Sequence, residues 1–417
     1  MSRHWNKCIL FFIPLICLDE DFSVADFVTA VKQVGYSVER EGENGFRAEK
    51  AAREVFIEYS GGAVEACSES LDAVMEFKNR MLGYFASKCN PVPEVVLLLT
   101  DGEQLPISPD VLGKGLLQRL RSWALAVYLF ITTLTPLFLM LLGIKSLFEV
   151  SLITILVTFT MLLFAPLLSL RVRCLEIPKC CRRVTLLRVV VEEIREEDLL
   201  TIAVVKHILT KSADLSVDTA ERVLHDVGID FKRISLKELN LGAILSRLRE
   251  KYGFKVKLCV TPSGSRNAYT LGFLPSFSKV YVTAGLLLDL NERELEAVLA
   301  HELAHLKHKD SLKLFTVASL EYIFRSYLLS VAQLPIGVLL AYLAFFTAVF
   351  LKLLHNAELS ADVEAARRTS AHDVISALVK LEYPELARSG KYRTLRIVPS
   401  IHPPAIYRVT NLLKLRR

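Results

Sequence analysis

Two histidines and a glutamate stand in the spacing His-Glu-x-x-His within residues 294–310. His301 and His305 are four residues apart in a run of good helix formers, so a helix presents both imidazoles on one face, about one turn apart. Glu302 lies roughly a quarter-turn round the helix, where its carboxylate can reach a metal-bound water rather than the metal. Zinc hydrolases use this arrangement of two imidazole ligands, an open position for water and a carboxylate base. For these five residues alone, a surface helix that happens to carry histidines is the alternative.

A site with two histidine ligands needs a further ligand from the protein. Glu358 and Asp362 are four residues apart in a charged segment that is predicted to be helical. Glu358 can complete the zinc ligands, and Asp362 can accept a proton from a ligand imidazole and so fix its tautomer. An acidic helix face in contact with solvent is the alternative for this segment.

The apolar residues are collected in long blocks. Hydrophobic residues make up 52% of the 417 residues although 23% are charged, and the mean hydropathy of +0.37 is too apolar for an ordinary soluble chain. Each block is about as long as a helix that crosses a bilayer. The blocks are 123–144, 147–170, 314–333 and 335–354.

We predict that these blocks form four transmembrane helices in two hairpins, 123–170 and 314–354. The third block contains Glu321 and Arg325, which are four residues apart and can pair on one helix face. A hairpin rather than a single span at 314–354 returns the chain to the side of the bilayer that holds the two histidines. This topology places Glu358 within reach of the metal.

The charge pattern predicts which side of the membrane holds the site. The formal charge is +6, and basic residues cluster beside the first hairpin, whereas its loop carries only Lys145. By the positive-inside rule, a multi-pass protein of the cell membrane then has its catalytic and N-terminal domains in the cytoplasm. The lipid bilayer is the expected partner, and no motif indicates nucleic-acid binding. The eight cysteines form no C-x-x-C pair, which favours reduced thiols.

The predicted fold is a mainly α membrane protein with a zincin-type α+β catalytic domain and an N-terminal α+β domain. The N-terminal domain spans 1–115, and the sequence indicates neither its role nor its partner. Residues 8–18 are interpreted as a buried strand of that domain, with an uncleaved membrane-associated segment as the alternative. The remaining units are 185–260, a helical linker or insertion leading into the catalytic domain, 261–313 with the zinc helix, and 355–417 as the C-terminal part of the catalytic domain.

Several motifs in the second half of the chain occur in one order. They are N-A-Y-T-L-G at 267–272, T-A-G-L-L at 283–287, H-E-L-A-H-L-K-H-K-D at 301–310, A-E-L-S-A-D at 357–362 and H-P-P-A-I-Y-R at 402–408. With these motifs the chain resembles the HtpX-like membrane zinc metalloproteases, relatives of the CAAX prenyl protease. The resemblance implies one Zn²⁺ per chain on His301, His305 and Glu358, with Glu302 as general base and Asp362 supporting a ligand.

The resemblance also implies residues that contact the substrate. Asn267, Ala268 and Tyr269 are expected to lie on an edge strand beside the site, where an extended substrate can pair by β-addition. His402 and Arg408 are expected near the active site, where they can steady the substrate or the oxyanion. A surface turn is the alternative for His402, which precedes two prolines.

The function expected from this resemblance is a zinc metalloendopeptidase that acts on membrane or membrane-proximal proteins in quality control. One alternative is a processing protease for a single client, of the prenyl-protease type. The other alternative is a membrane scaffold or binding module that retains a zinc site without catalysis.

Overall fold

The computed structural model describes most of both halves of the chain. The described residues are 7–13, 23–41, 44–51, 53–60, 62–86, 94–99, 146–168, 175–177, 183–191, 204–205, 207–209, 216–261, 266–331, 335–389 and 403–416. The predicted first span, 123–144, and His402 lie outside these residues.

The N-terminal region is a five-stranded antiparallel sheet with two helices. Its strands are β1 (Lys7–Phe12), β2 (Ser37–Arg40), β3 (Gly45–Lys50), β4 (Arg53–Ser60) and β5 (Ala63–Ser68). The strand order is β1-β5-β4-β3-β2. Helices α1 (Val24–Gln33) and α2 (Leu71–Ala86) complete the region, and α2 packs on β1, β4 and β5. The segment from residue 8 is therefore a strand as far as Phe12.

A disulfide bond joins the two strands at one edge of this sheet. Cys8 and Cys67 are directly opposite each other in the antiparallel register of β1 and β5, and their sulfurs are 2.09 Å apart. Cys259 is disulfide-bonded as well. The prediction of reduced thiols is wrong for these cysteines. Cys8 and Cys67 are separated by 59 positions in sequence, so only the strand pairing brings them together.

A second sheet joins segments from both sides of the first predicted hairpin. It has three antiparallel strands, β6 (Glu94–Leu99), β8 (Val184–Val191) and β9 (Phe231–Leu239), in the order β6-β8-β9. Helix α4 (Val217–Asp226) packs on β9. The predicted helical character of 185–260 is therefore wrong for β8 and β9, because pairing between distant strands outweighs local helix propensity.

The catalytic region contains a four-stranded mixed sheet. Its strands are β7 (Leu175–Ile177), β10 (Lys257–Thr261), β11 (Ala268–Leu271) and β12 (Lys279–Thr283), in the order β11-β12-β10-β7. Strands β10 and β12 are parallel, and β11 runs antiparallel to β12 at the edge of the sheet. Helix α5 (Leu241–Tyr252) precedes β10, and α6 (Ala284–Asp289) follows β12.

Helix α7 (Glu292–His308) carries the His-Glu-x-x-His residues. It begins with the predicted capping box: the Asn291 side chain accepts from the Glu294 N–H, and the Glu294 carboxylate accepts from the Asn291 N–H, both at 2.9 Å. It ends at Lys309, whose left-handed backbone (φ 55°) turns the chain directly into the next helix. The direction of α7 is thus set at both ends by local sequence.

Long helices make up most of the rest of the described chain. They are α3 (Leu147–Leu168), α8 (Asp310–Val331), α9 (Ile336–Arg368), α10 (Ala371–Ser389) and α11 (Ala405–Arg416). Among the described residues, one stretch, Gly337–Arg368 with a hydropathy of 2.1, is long and apolar enough to cross a membrane, and the apolar segment Glu149–Thr160 within α3 is shorter. The four-span topology stays a prediction.

One hydrophobic core connects the N-terminal sheet with the catalytic region. Helix α10 contacts β4 and β5, and α11 contacts β1. The same two helices pack on α9, and α10 also packs on α7. The N-terminal sheet therefore supports the helices that surround the histidines.

Candidate metal centre

The two histidines of α7 converge with one carboxylate of α9. Nε2 of His301 is 3.2 Å from Nε2 of His305. Oε2 of Glu358 is 3.5 Å from Nε2 of His301, and Oε1 of Glu358 is 3.6 Å from Nε2 of His305. Of the described residues, these three form a group whose ligand atoms could hold one metal ion.

The separations of these atoms agree with a zinc ion. Zinc binds histidine nitrogen and carboxylate oxygen at about 2.0–2.2 Å in tetrahedral geometry. Two ligand atoms on such a tetrahedron are roughly 3.3 to 3.6 Å apart, close to the 3.2–3.6 Å observed. Two imidazoles and a carboxylate also leave the fourth position for water. The residues present therefore fit the metal that the sequence predicts.

Each histidine has its own aspartate on the ring nitrogen that faces away from the group. Nδ1 of His301 is 2.9 Å from Oδ1 of Asp362, as the sequence predicts for Asp362. Nδ1 of His305 is 2.9 Å from Oδ2 of Asp310, the first residue of α8. Carboxylates in these positions orient the imidazoles and make them stronger ligands.

Sequence reasoning missed Asp310. Its position five residues after His305 does not follow the three- and four-residue spacings of one continuous helix face. The left-handed conformation of Lys309 breaks the helix between them, and the chain turns so that Asp310 reaches back to the ring. An acidic residue at a helix junction near a ligand was the available signal.

Arg408 of α11 holds the aspartate behind His301. Its Nε donates to Oδ2 of Asp362 at 2.7 Å, and its Nη2 donates to Oδ1 at 2.5 Å. Its Nη1 lies 3.6 Å from Oε2 of Glu358. This two-pronged contact gives both charge and fixed geometry. The structure thus brings Arg408 to the site, in contact with the supporting carboxylate of Asp362.

The charges at the site act on one another strongly. Burial alone lowers the pKa of His301, but the carboxylates of Asp362 and Glu358 outweigh it and raise that pKa to about 9. Burial likewise opposes the charge of Arg408, while Asp362 and Glu358 raise its pKa further above its ordinary value. A metal ion must displace the proton of His301, so metal binding releases protons here.

Glu302 lies between the histidines and the edge strand β11. Its side chain is buried, and Thr270 of β11 donates a hydrogen bond from Oγ1 to its Oε2 at 2.9 Å. This hydroxyl orients the carboxylate. Sequence reasoning missed Thr270, since nothing in a threonine on a short strand indicates a contact with a residue 32 positions away.

The residues expected on a substrate-binding strand lie on or beside β11. The backbone N–H of Thr283 donates to the carbonyl of Asn267 at 3.1 Å. Ala268 is buried. The ring of Tyr269 stacks on that of Tyr281, with the ring centroids 5.1 Å apart. Asn267 itself precedes the strand. Strand β12 pairs with one edge of β11, and β11 also packs on α7.

Gly272 ends this strand in a conformation that few other residues adopt. Its φ is +126°, and a Cβ on it would lie 2.3 Å from the Ser278 hydroxyl. The tight turn that returns the chain from β11 to β12 therefore requires glycine. The backbone of the turn thus explains why the N-A-Y-T-L-G motif ends in glycine.

Comparisons with known proteins agree with the resemblance drawn from the sequence. Residues 235–416 match the family model of peptidase family M48. The chain is 49% identical over 70 residues to a protease HtpX homolog of Pelotomaculum thermopropionicum (16% of this chain, 25% of that protein). It is 35% identical over 162 residues to the homolog of Acaryochloris marina (34% and 55%), and 28% identical over 211 residues to that of Methanocaldococcus jannaschii (42% and 74%). The chain thus spans a quarter of the length of the first of these relatives and just over half of the length of the second.

A solved structure, Ste24p of S. mikatae, is similar over 70% of this chain and 63% of that chain, at 16% identity. Its TM-score of 0.37 does not establish a shared fold.

The site has the residue types and spacing of metallopeptidases of the His-Glu-x-x-His type. The match of residues 235–416 to the model of peptidase family M48 and the similarity to the relatives named above confirm the resemblance to HtpX-like proteases.

Proposed function

We propose that this protein is a zinc-dependent endopeptidase of the membrane. The observation that carries the proposal is the convergence of His301, His305 and Glu358 at 3.2–3.6 Å with Glu302 on the same helix. When bound, zinc supplies a Lewis acid that polarises the scissile carbonyl and acidifies a water molecule. The chemistry is hydrolysis of a peptide bond.

Glu302 is the general base of this reaction. Its carboxylate takes the proton of the attacking water and then donates it to the leaving amine, so it starts and ends each turnover unprotonated. The hydroxyl of Thr270 holds one of its oxygens at 2.9 Å, which leaves the other for the water. The buried position of Glu302 excludes bulk water from the proton transfer.

The ligands are held by a chain of charged contacts. Arg408 fixes Asp362, Asp362 fixes His301, and Asp310 fixes His305. Preorganised ligands of this kind avoid rearrangement during the reaction. In this role Arg408 positions the metal site, and its Nη1 lies 3.6 Å from Oε2 of Glu358.

The substrate is an extended polypeptide that pairs with the outer edge of β11. β-Addition gives affinity through main-chain hydrogen bonds without strict sequence demands. This mode suits quality control of misfolded membrane proteins, the role implied by the HtpX-like resemblance. The apolar helix Gly337–Arg368 supports a membrane location, and the positive-inside pattern supports a cytoplasmic site in a multi-pass protein.

The test is cleavage of β-casein by the detergent-purified protein with Zn²⁺, beside Glu302→Gln. This substitution keeps the size of the side chain but removes the base. We expect a loss of at least roughly a thousandfold in kcat, with one zinc per chain retained by metal analysis. A chelator should abolish the activity of the wild type, and re-added Zn²⁺ should restore it.

Equal cleavage by the wild type and Glu302→Gln would contradict the proposal. Zinc retention without any cleavage would instead favour a non-catalytic membrane scaffold. Cleavage of one defined client and not of β-casein would favour a processing protease of the prenyl-protease type.

A further inference from the structure

The turn between β11 and β12 exposes large apolar side chains. Leu274 is 39% exposed and Phe277 is 66% exposed. Leu274 precedes the short 3-10 turn Pro275–Phe277, and Phe277 is its last residue. Turns that face water are usually built from small polar residues. Two exposed hydrophobic side chains at the tip of a turn indicate contact with an apolar partner.

The whole stretch around this turn lacks charge. No charged residue occurs between Arg266 and Lys279. These two bounding cations are engaged within the protein, since Arg266 pairs with Asp289 and Lys279 pairs with Glu176. The turn therefore presents an uncharged surface. Moving this surface out of water does not carry the large free-energy cost of desolvating a charged group.

Phe273 fixes the turn against two apolar helices. Its ring is buried and stacks on Phe159 of α3, with centroids 5.8 Å apart and planes at 9°. It also lies 5.8 Å from Phe315 of α8, and Phe159 and Phe315 are 5.4 Å apart. Three rings from three segments form one cluster, so the position of the turn relative to α3 and α8 is set by packing.

The contact with α3 lies well inside the length of that helix. Helix α3 has 22 residues, or about 33 Å, and Phe159 lies near the end of its apolar segment, Glu149–Thr160. Phe159 is about 14 Å from the end of the helix at Leu168. On the same helix Leu152 and Leu156 are 56% and 61% exposed. The apolar surface of α3 thus continues onto the turn.

We propose that residues 272–278 dip into the bilayer beside α3 and α8. Leu274 and Phe277 contact acyl chains, and the exposed Lys313, two residues before Phe315, contacts anionic headgroups. The inference rests on the membrane location in the proposed function. It deepens that function, because β11 then leads from the bilayer to Glu302, and a polypeptide leaving the membrane meets β11 first.

The depth of the turn is measured by tryptophan fluorescence. The two native tryptophans, Trp5 and Trp123, are replaced by phenylalanine, and one tryptophan is introduced at position 277. The full-length protein is reconstituted into vesicles of phosphatidylcholine with one fifth phosphatidylglycerol, with and without bromine on the acyl chains. We expect Phe277→Trp emission to be quenched at least twofold by the brominated lipid.

Two matched substitutions make this result interpretable. Phe345→Trp reports on α9, where Phe345 is 70% exposed, and Leu71→Trp reports on the N-terminal helix α2, where Leu71 is 50% exposed. Quenching at positions 345 and 277 but not at 71 supports the proposal. Quenching at 345 without quenching at 277 overturns it while the membrane location stands. No quenching at 345 overturns the membrane location itself, and equal quenching at all three positions overturns a specific insertion of the turn.

A second experiment tests the consequence for substrates in the native tryptophan background. We expect Leu274→Ser with Phe277→Ser to lower cleavage of a membrane-embedded substrate at least fivefold and to leave cleavage of soluble β-casein unchanged. Leu71→Ser is the control and should change neither rate. Equal losses for both substrates, or no loss for either, would overturn the proposal.

Discussion

The two ends of helix α7 both bury charged groups, but the groups have different partners. Near the N-terminus, Glu294 accepts hydrogen bonds from Lys380 at 2.8 Å and from Ser376, both on α10. Near the C-terminus, aspartates face the imidazoles of His301 and His305 at 2.9 Å. At the first end a cation of the protein neutralises a carboxylate permanently. At the second end the carboxylates support histidines whose intended partner is a metal ion.

This difference separates stability from function along a single helix. A buried ion pair that loses one partner leaves an unpaired charge, which destabilises the folded state. A metal site that loses a supporting group loses affinity or rate while the fold persists. Substitutions at the two ends should therefore have different kinds of effect.

The largest effect is expected for Lys380→Met, at the N-terminal end. Methionine keeps the apolar length of the side chain but leaves the buried carboxylate of Glu294 without its cation. The free energy of unfolding should fall by about 3–5 kcal/mol, measured by denaturant unfolding in detergent.

The matched control is Lys307→Met, on α7 itself. Lys307 pairs with Glu364 at 2.6 Å but is 38% exposed, so its loss should cost about 1 kcal/mol or less. Equal stabilities for the two variants would show that burial does not distinguish the pairs, and a lower zinc content of folded Lys380→Met would show that the two ends are not separate.

A smaller effect is expected for Asp310→Asn at the metal end. The amide keeps the shape of the side chain but removes the charge next to Nδ1 of His305. Zinc affinity should fall roughly 10- to 100-fold, measured by chelator competition, with little change in the melting temperature of the metal-free protein. Lys313→Met removes the exposed cation that pairs with Asp310 at 3.5 Å and should leave the affinity unchanged. An unchanged affinity for Asp310→Asn would exclude the role proposed for this aspartate.

An effect on the rate rather than on zinc affinity is expected for Thr270→Val, beside the base. Valine has the same shape as threonine but cannot donate to Oε2 of Glu302. Because a hydrogen bond to a charged group contributes about 1.5–3 kcal/mol, kcat should fall roughly tenfold or more, with KM and zinc content unchanged. Thr270→Ser should restore most of the rate. If serine is as slow as valine, the methyl group and not the hydroxyl matters.

Local spacing predicts the parts of the site that lie on single helices. The four-residue spacing of His301 and His305 on α7 predicts that they share a helix face, and Glu302 lies next to His301 on the same helix. Glu358 and Asp362 follow from the same spacing on α9, once a hairpin is assumed between the two helices. The capping box at Asn291 is equally local, and so is the ion pair between Glu321 and Arg325 at 2.7 Å.

The parts that sequence reasoning missed depend on pairing between distant segments. Cys8 meets Cys67 through the register of β1 and β5, and β6 pairs with β8 across the first predicted hairpin. Thr270 reaches Glu302 only because the edge of a sheet packs on α7. Such contacts depend on tertiary packing, which has no signature in a short window of sequence.

The contact between Arg408 and Asp362 has a consequence for the biosynthesis of the protein. Both histidines, Glu302 and both aspartates leave the ribosome before Arg408 does. Helix α11, which carries Arg408, also packs on β1, among the first described residues to be made. Arg408 can therefore fix Asp362 only after α11, which is synthesised late, has packed beside β1, which is synthesised early. Until then the nascent chain contains the metal ligands without this supporting contact.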